Sequence, residues 1–317
     1  MTSGRMRRIR VSLAASLAFA SLLAWAPTAA MAQQEPTFHV DVPLVNVFAS
    51  VTDKAGAPIG GLTKDDFQLF ENGKAQTIAV FERNTSAPLA IVLSVDLSGS
   101  VYKDFAAEQS AAVRFAKDVL RSQDRADVVA FADGTREVTG FTGNAKQIAN
   151  GLGGLHPGVG GTAFYSSISL SSQLLRPEHG RRVLVVVSDG DNTVNGVSYQ
   201  DALDEAVRDE VMIYSIIDVP VAASAGRDLA GEHAMITLAE ETGGRAYYAD
   251  QSSLDQIFHR IADDLRTQYL LGYYPHKRGP EEEQGGFRSI AVKMSSVADN
   301  AKYSVRNRPG YYANAAH

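Results

Sequence analysis

The 317-residue chain carries 30 Lys and Arg against 36 Asp and Glu, a formal net charge of -6, and contains no cysteine. The lack of cysteine excludes disulfides, thiol chemistry, cysteine lipidation and a cysteine zinc site, so the fold must rest on its hydrophobic core. The anionic balance gives no general electrostatic reason to hold nucleic acid.

The chain opens with Arg5, Arg7, Arg8 and Arg10, then an uncharged, mostly apolar run from Val11 to Ala26, then small residues ending Ala30-Met31-Ala32 before Gln33. That order predicts an export signal over residues 1–32, cleaved after Ala32. The alternative is a membrane anchor, but the run is 16 residues and a span needs roughly 20. Without the leader, 26 basic residues face 36 acidic ones, for a net charge near -10. The expected mature protein is secreted or periplasmic and keeps no stable membrane span.

Residues 33–87 read as a small β module. Val45 to Phe48 is extended in character, a turn follows around Asp53 to Gly56, and Phe67 to Phe70 leads through Glu71-Asn72-Gly73-Lys74 into Gln76 to Phe81. Asn-Gly between two such segments is a hairpin signal.

From residue 88 to 268 the pattern changes to alternating strands and helices. Leu89 to Val95 is nearly all apolar, as a strand covered on both faces must be, and residues 102–121 follow with helical spacing of Phe105, Ala112, Phe115, Ala116, Val119 and Leu120. Strands are expected at Ala126 to Phe131, Arg136 to Phe141, Arg182 to Val187 and Met212 to Ile217, with an edge strand at Arg245 to Tyr248. Helices are expected at Ala145 to Leu155, Ala163 to Leu175, Tyr199 to Glu210 and Met235 to Thr242, the last stopped by Gly243-Gly244. A final helix starts near the capping residue Ser252 and carries Leu254, Ile257, Phe258, Ile261 and Leu265 on one face. This predicts an α/β three-layer domain with a six-stranded, mostly parallel sheet, whose one short antiparallel strand is Arg136 to Phe141. Residues 269–317 form a C-terminal β extension, with extended segments at Gln268 to Tyr274, Phe287 to Met294 and Tyr303 to Tyr312.

Asp96-Leu97-Ser98-Gly99-Ser100 follows the first buried strand and precedes a helix. That is the carboxyl edge, where open α/β sheets place ligands. The second buried strand ends in Ser188-Asp189-Gly190-Asp191, and the pliable run Gly158 to Thr162 delivers a hydroxyl just before another helix. Carboxylates and hydroxyls are hard oxygen ligands of the kind Mg²⁺, Mn²⁺ or Ca²⁺ prefers. Singly, each residue has a plainer reading: Asp96, Ser98 or Thr162 caps a helix, and Asp189-Gly190 makes a turn. Three matching elements on three helix-leading loops favour a joint site.

This ordered set closely resembles the von Willebrand factor A (VWA) family, whose metal-ion-dependent adhesion site uses Asp-x-Ser-x-Ser, a distant Thr and a distant Asp. By position the resemblance implies a metal site of Asp96, Ser98, Ser100, Thr162 and Asp189, on a VWA/Rossmann-like fold over roughly residues 88–268. It implies one divalent cation, Mg²⁺ ahead of Mn²⁺ or Ca²⁺, with one position kept for a Glu or Asp carboxylate of a protein partner. Ser98, Ser100 and Thr162 are the hydroxyl ligands, and Asp96 and Asp189 neutralise the ion. Asp191 is extra and reads as a solvated loop acid. The flanks, with Gly61 to Phe67, Tyr269 to Tyr274 and Arg308 to Tyr312, resemble VWFA-related proteins abundant in Acidobacteria.

Two other functions compete with a binding or adhesion module. An envelope assembly module would use the cation only to tie loops, with Tyr273, Tyr274, Tyr311 and Tyr312 at an interface or in the core. A metal-assisted hydrolase needs a base, and His156 lies six residues before Thr162. The serines lack the Gly-x-Ser-x-Gly setting and the histidines lack His-Glu-x-x-His, so no enzyme is expected. His259 falls near the last helix's apolar face and is expected to pack there.

Overall fold

The computed structural model describes residues 44–83, 86–99, 105–218, 229–249, 254–275 and 286–313. The expected leader over 1–32, Ser100 and the capping Ser252 lie outside them.

The chain enters through β1 (Val45–Asp53), β2 (Phe67–Glu71), β3 (Lys74–Gln76) and β4 (Val80–Glu82). β2 and β3 form the expected hairpin, with Leu69 opposite Gln76. Its turn residues Asn72 and Gly73 both have positive φ, 48° and 75°, the backbone a two-residue type I′ turn requires. The expected single segment from Gln76 to Phe81 is instead two strands: β3 ends at Gln76, and β4 joins another sheet beside β11 (Tyr269–Tyr273). Ile78 is buried between them and anchors the crossing.

The central elements are β5 (Leu89–Asp96), α1 (Phe105–Val119), β6 (Arg125–Phe131), β7 (Thr135–Glu137), α2 (Ala145–Gly153), α3 (Phe164–Leu175), β8 (Arg181–Ser188), α4 (Tyr199–Arg208), β9 (Val211–Asp218), α5 (Leu229–Glu241), β10 (Arg245–Ala249) and α6 (Leu254–Thr267). They build a six-stranded sheet of order β10-β9-β8-β5-β6-β7, parallel except for β7. Every residue of β5 is buried. Because strand side chains alternate between faces, Ile91, Leu93 and Val95 enter one core with Phe115 of α1 and Phe258 of α6, while Ala90 and Val92 enter another with Ile168 of α3 and Leu238 of α5. Each fully buried Val, Leu or Ile contributes about 1.5–3 kcal/mol, so this apolar burial is the sheet's main support.

Two central expectations need correction. α5 starts at Leu229, before the expected Met235; Gly231 weakens the helical signal, but its backbone packs so close to Gly190 that a Cβ on Gly190 would sit 2.6 Å from it. His259 is exposed, one step off the α6 face that buries Leu254, Ile257, Phe258, Ile261 and Leu265.

The C-terminal elements after β11 are β12 (Phe287–Met294), α7 (Val297–Lys302), β13 (Tyr303–Asn307) and β14 (Gly310–Tyr312). Tyr303 to Tyr312 is thus not one extended segment, because Arg308-Pro309 interrupts it and sends its halves to different sheets. The two flanks interleave as sheets of order β13-β1-β11-β4 and β14-β12-β2-β3. Val47, Leu69, Leu271, Val292 and Met294 from both sheets share a third core. Inside it Glu71 accepts hydrogen bonds from Tyr273 at 2.5 Å and Tyr311 at 3.1 Å. Of the four tyrosines, Tyr273 and Tyr311 are therefore core, Tyr274 is exposed and Tyr312 is half-buried.

Candidate metal centre

The parallel strands β5 and β8 are neighbours, with Val95 opposite Val187, so the residues after each emerge side by side at the carboxyl edge. Asp96, the last residue of β5, is 0% exposed. Its Oδ1 accepts the backbone N–H of Ser98 at 2.8 Å, and its Oδ2 accepts the Ser188 hydroxyl at 2.7 Å. Burial pushes its pKa up to about 6, against the hydrogen bonds from Ser188 and Ser98, and the charge of nearby Asp189 adds to the rise. A buried carboxylate beside a like charge lacks a counter-charge.

The remaining loops are fastened around this point. Gly158 N–H donates to the Leu97 carbonyl at 2.8 Å. Thr162, buried, donates its N–H to Thr193 Oγ1 at 2.8 Å and accepts from Thr193 N–H at 3.0 Å. The Thr162 loop is therefore held on the loop that follows Asp189. Gly161 has no room for a side chain, since a Cβ there would meet Thr193 Oγ1 at 2.6 Å. Gly190, at φ 84°, takes the left-handed turn that glycine tolerates best and donates to Ser188 Oγ at 3.1 Å. Asp189 and Asp191 are half-buried, and Asp191 N–H donates to Asp189 Oδ1 at 3.2 Å. Asp191 is thus part of the loop's own structure more than a fully solvated acid.

Asp96, Ser98, Thr162 and Asp189 thus fall on three loops at one edge of the sheet. Three supporting residues escaped the sequence reading. Ser188 falls outside the Asp, Ser and Thr set that the sequence marks, although a hydroxyl at the end of a buried strand needs a partner. Thr193 carried no local signal. Asp133, just after β6, accepts Gly161 N–H at 2.5 Å; an acid two residues past a strand at the ligand edge was the available hint.

Among the described residues no three or more His, Cys, Asp or Glu side chains group as a metal site. The expected set is of another kind, two carboxylates with three hydroxyls. Its chemistry fits a hard divalent cation: all donors are oxygens, and the buried Asp96 charge stands uncompensated beside Asp189.

A family model for the von Willebrand factor type A domain matches residues 91–192. Proximal thread matrix protein 1 from the mussel byssus, in a structure described as having a zinc-occupied MIDAS motif, superposes with a TM-score of 0.51 at 16% identity, over 63% of this chain and 50% of that one. The central domain has a VWA-like fold. A second structure of the mussel protein gives 0.50 at 16% identity over 63% and 51%. An aerotolerance-related membrane protein from Bacteroides fragilis matches over 56% of this chain and 98% of its own at 17% identity, with a TM-score of 0.46. No curated protein matches. The matches do not carry the resemblance to the acidobacterial group. Among the described residues no helix is long and apolar enough to cross a membrane.

Proposed function

We propose that this chain is an exported, metal-ion-dependent protein-binding or adhesion module. Its export signal is residues 1–32, its VWA-like domain spans 88–268, and the segments 33–87 and 269–317 flank that domain. One divalent cation, Mg²⁺ ahead of Mn²⁺ or Ca²⁺, is held by Asp96, Ser98, Ser100, Thr162 and Asp189. The observation that carries this reading is Asp96, fully buried beside the charge of Asp189; a divalent cation offsets the cost of that pair. Bound there, the ion supplies an acceptor position for a Glu or Asp carboxylate of a partner. The chain's own residues set the orientation: Ser188 and the Ser98 N–H fix the Asp96 carboxylate, and Thr193 fixes the Thr162 backbone.

The zinc-occupied motif reported for the mussel protein supports a cation at the equivalent edge. The reading is of a binder and not a hydrolase, and the exposed His156 adds no base to the buried cluster. A pull-down of envelope and extracellular proteins by the mature chain tests it, run with Mg²⁺, with chelator, and with Asp96→Ala. Metal-dependent recovery without turnover supports adhesion. Equal recovery in every condition rejects a metal-mediated contact and favours an assembly module acting through its β flanks.

A further inference from the structure

At the opposite edge of the sheet, where β8 and β9 begin, lies an open groove between the central domain and the flanking β segments. Its lining mixes apolar side chains, Phe48 of β1, Val207 of α4 and Met212 of β9, with the charged Glu210, Glu241 and Arg308. Among them stands Arg181, only 5% exposed.

Arg181 is a buried cation with no carboxylate partner among the described residues. Its Nη1 donates to the Leu265 carbonyl and to Gln268 Oε1, and its Nη2 to the Ala87 carbonyl at 3.2 Å. Its Nε–H is itself buried and has no acceptor among the described residues. Nε and Nη2 together form the edge of a guanidinium that grips a carboxylate side-on, as Arg114 grips Asp255 elsewhere in this protein. Burial pulls the Arg181 pKa down to about 10, against the charge of Asp124 nearby, so it stays charged at neutral pH. Arg182 beside it also donates only to backbone carbonyls, those of Glu178 and Asp209. Buried charges are ordinarily paired, because desolvating an unpaired ion is costly.

A second observation is independent of the charge. Glu210 lines the same groove with φ 56°, directly after the cap of α4, where glycine or asparagine is usual. The left-handed backbone is less favourable for a residue with a Cβ. The Glu210 carboxylate meets Arg308, so one of the groove's two other arginines is paired with a carboxylate while Arg181 is not.

We propose that this groove binds a small apolar molecule bearing one carboxylate, with the carboxylate facing Arg181 and the apolar body along Phe48, Val207 and Met212. The site is separate from the cation edge and does not depend on the reading given there.

Decanoate, decan-1-ol and decylammonium, each kept below its aggregation concentration, test this by titration calorimetry on the mature chain with chelator present, so that a carboxylate cannot act at the cation edge. Decanoate is expected to bind at least tenfold more tightly than the alcohol, and the ammonium most weakly. Arg181→Gln should bring decanoate down to the alcohol's affinity. Val207→Trp, which fills the groove and leaves the charge, should abolish binding of both while circular dichroism and Tm stay near wild type; this variant and the head-group series decide the matter even if Arg181→Gln fails to fold. Equal binding of acid and alcohol, unchanged binding in folded Val207→Trp, or no binding of decanoate to the wild-type chain would overturn the proposal.

Discussion

Ser188 Oγ donates to Asp96 Oδ2 at 2.7 Å, linking the ends of two adjacent parallel strands across 92 residues of sequence. The same oxygen accepts Gly190 N–H, so one hydroxyl orients the buried carboxylate and also closes the turn after Asp189. Ser188→Ala removes both contacts. With chelator present the variant should lose about 1–3 kcal/mol of stability, the usual cost of an orphaned buried group, as read by urea denaturation. Added Mg²⁺ should stabilise it less than it stabilises wild type, because the Asp96 carboxylate is no longer fixed.

Arg306 of β13 joins the flank to the central domain. Its Nη2 meets Asp264 Oδ2 at 2.7 Å, its Nη1 donates to the Gly244 carbonyl at 2.7 Å, and Tyr214 OH donates to the same Asp264 oxygen at 2.7 Å. Asp264 is 3% exposed. Arg306→Met should destabilise the fold by about 3–5 kcal/mol, because it strands a buried carboxylate. Arg306→Met with Asp264→Leu should recover part of that loss. Denaturation curves of the three proteins check this; a double variant as weak as the single one would show that packing, not charge, sets the cost.

On β7, Glu137 has its pKa raised, first by a hydrogen bond with Asp127 and then by burial and the Asp127 charge. Asp127 Oδ1 is taken by Val128 N–H and the Thr139 hydroxyl, while its Oδ2 has no donor; a proton on Glu137 supplies one. The folded state thus holds this proton more tightly than the unfolded chain, so the pair costs no stability below about pH 4, the unfolded range for Glu, and destabilises as pH rises through the raised value. Glu137→Gln keeps a donor at every pH. It should raise Tm at pH 7 and leave it unchanged at pH 4, whereas an equal gain at both would assign the effect to something other than the proton.

Much of the fold was legible because parallel strands buried on both faces must be apolar throughout. β5 and β8 therefore stood out, and the residues that end them marked the edge where Asp96 and Asp189 lie. Less legible was whatever depends on a partner strand or helix. Nothing local in Gln76 to Phe81 or in Tyr303 to Tyr312 says that the two halves pair in different sheets. His259 differs from Phe258 only by 100° of helix rotation, too little for spacing to resolve with certainty beside an apolar stripe. In the candidate site the ligand-type residues were readable from their order, but the residues that hold them, Ser188, Thr193 and Asp133, act through contacts between loops remote in sequence.

An equilibrium titration of Mn²⁺ into the chelator-treated mature chain, followed by the paramagnetic signal of the free ion, reads the divalent cation at the carboxyl edge without a partner present. One Mn²⁺ should bind per chain, displaced by Mg²⁺, lost in Asp96→Ala and weakened about tenfold or more in Thr162→Ala, with both variants still folded by circular dichroism. A wild-type chain that takes up no Mn²⁺, or a folded Asp96→Ala that binds it as tightly as wild type, would contradict a cation at that edge.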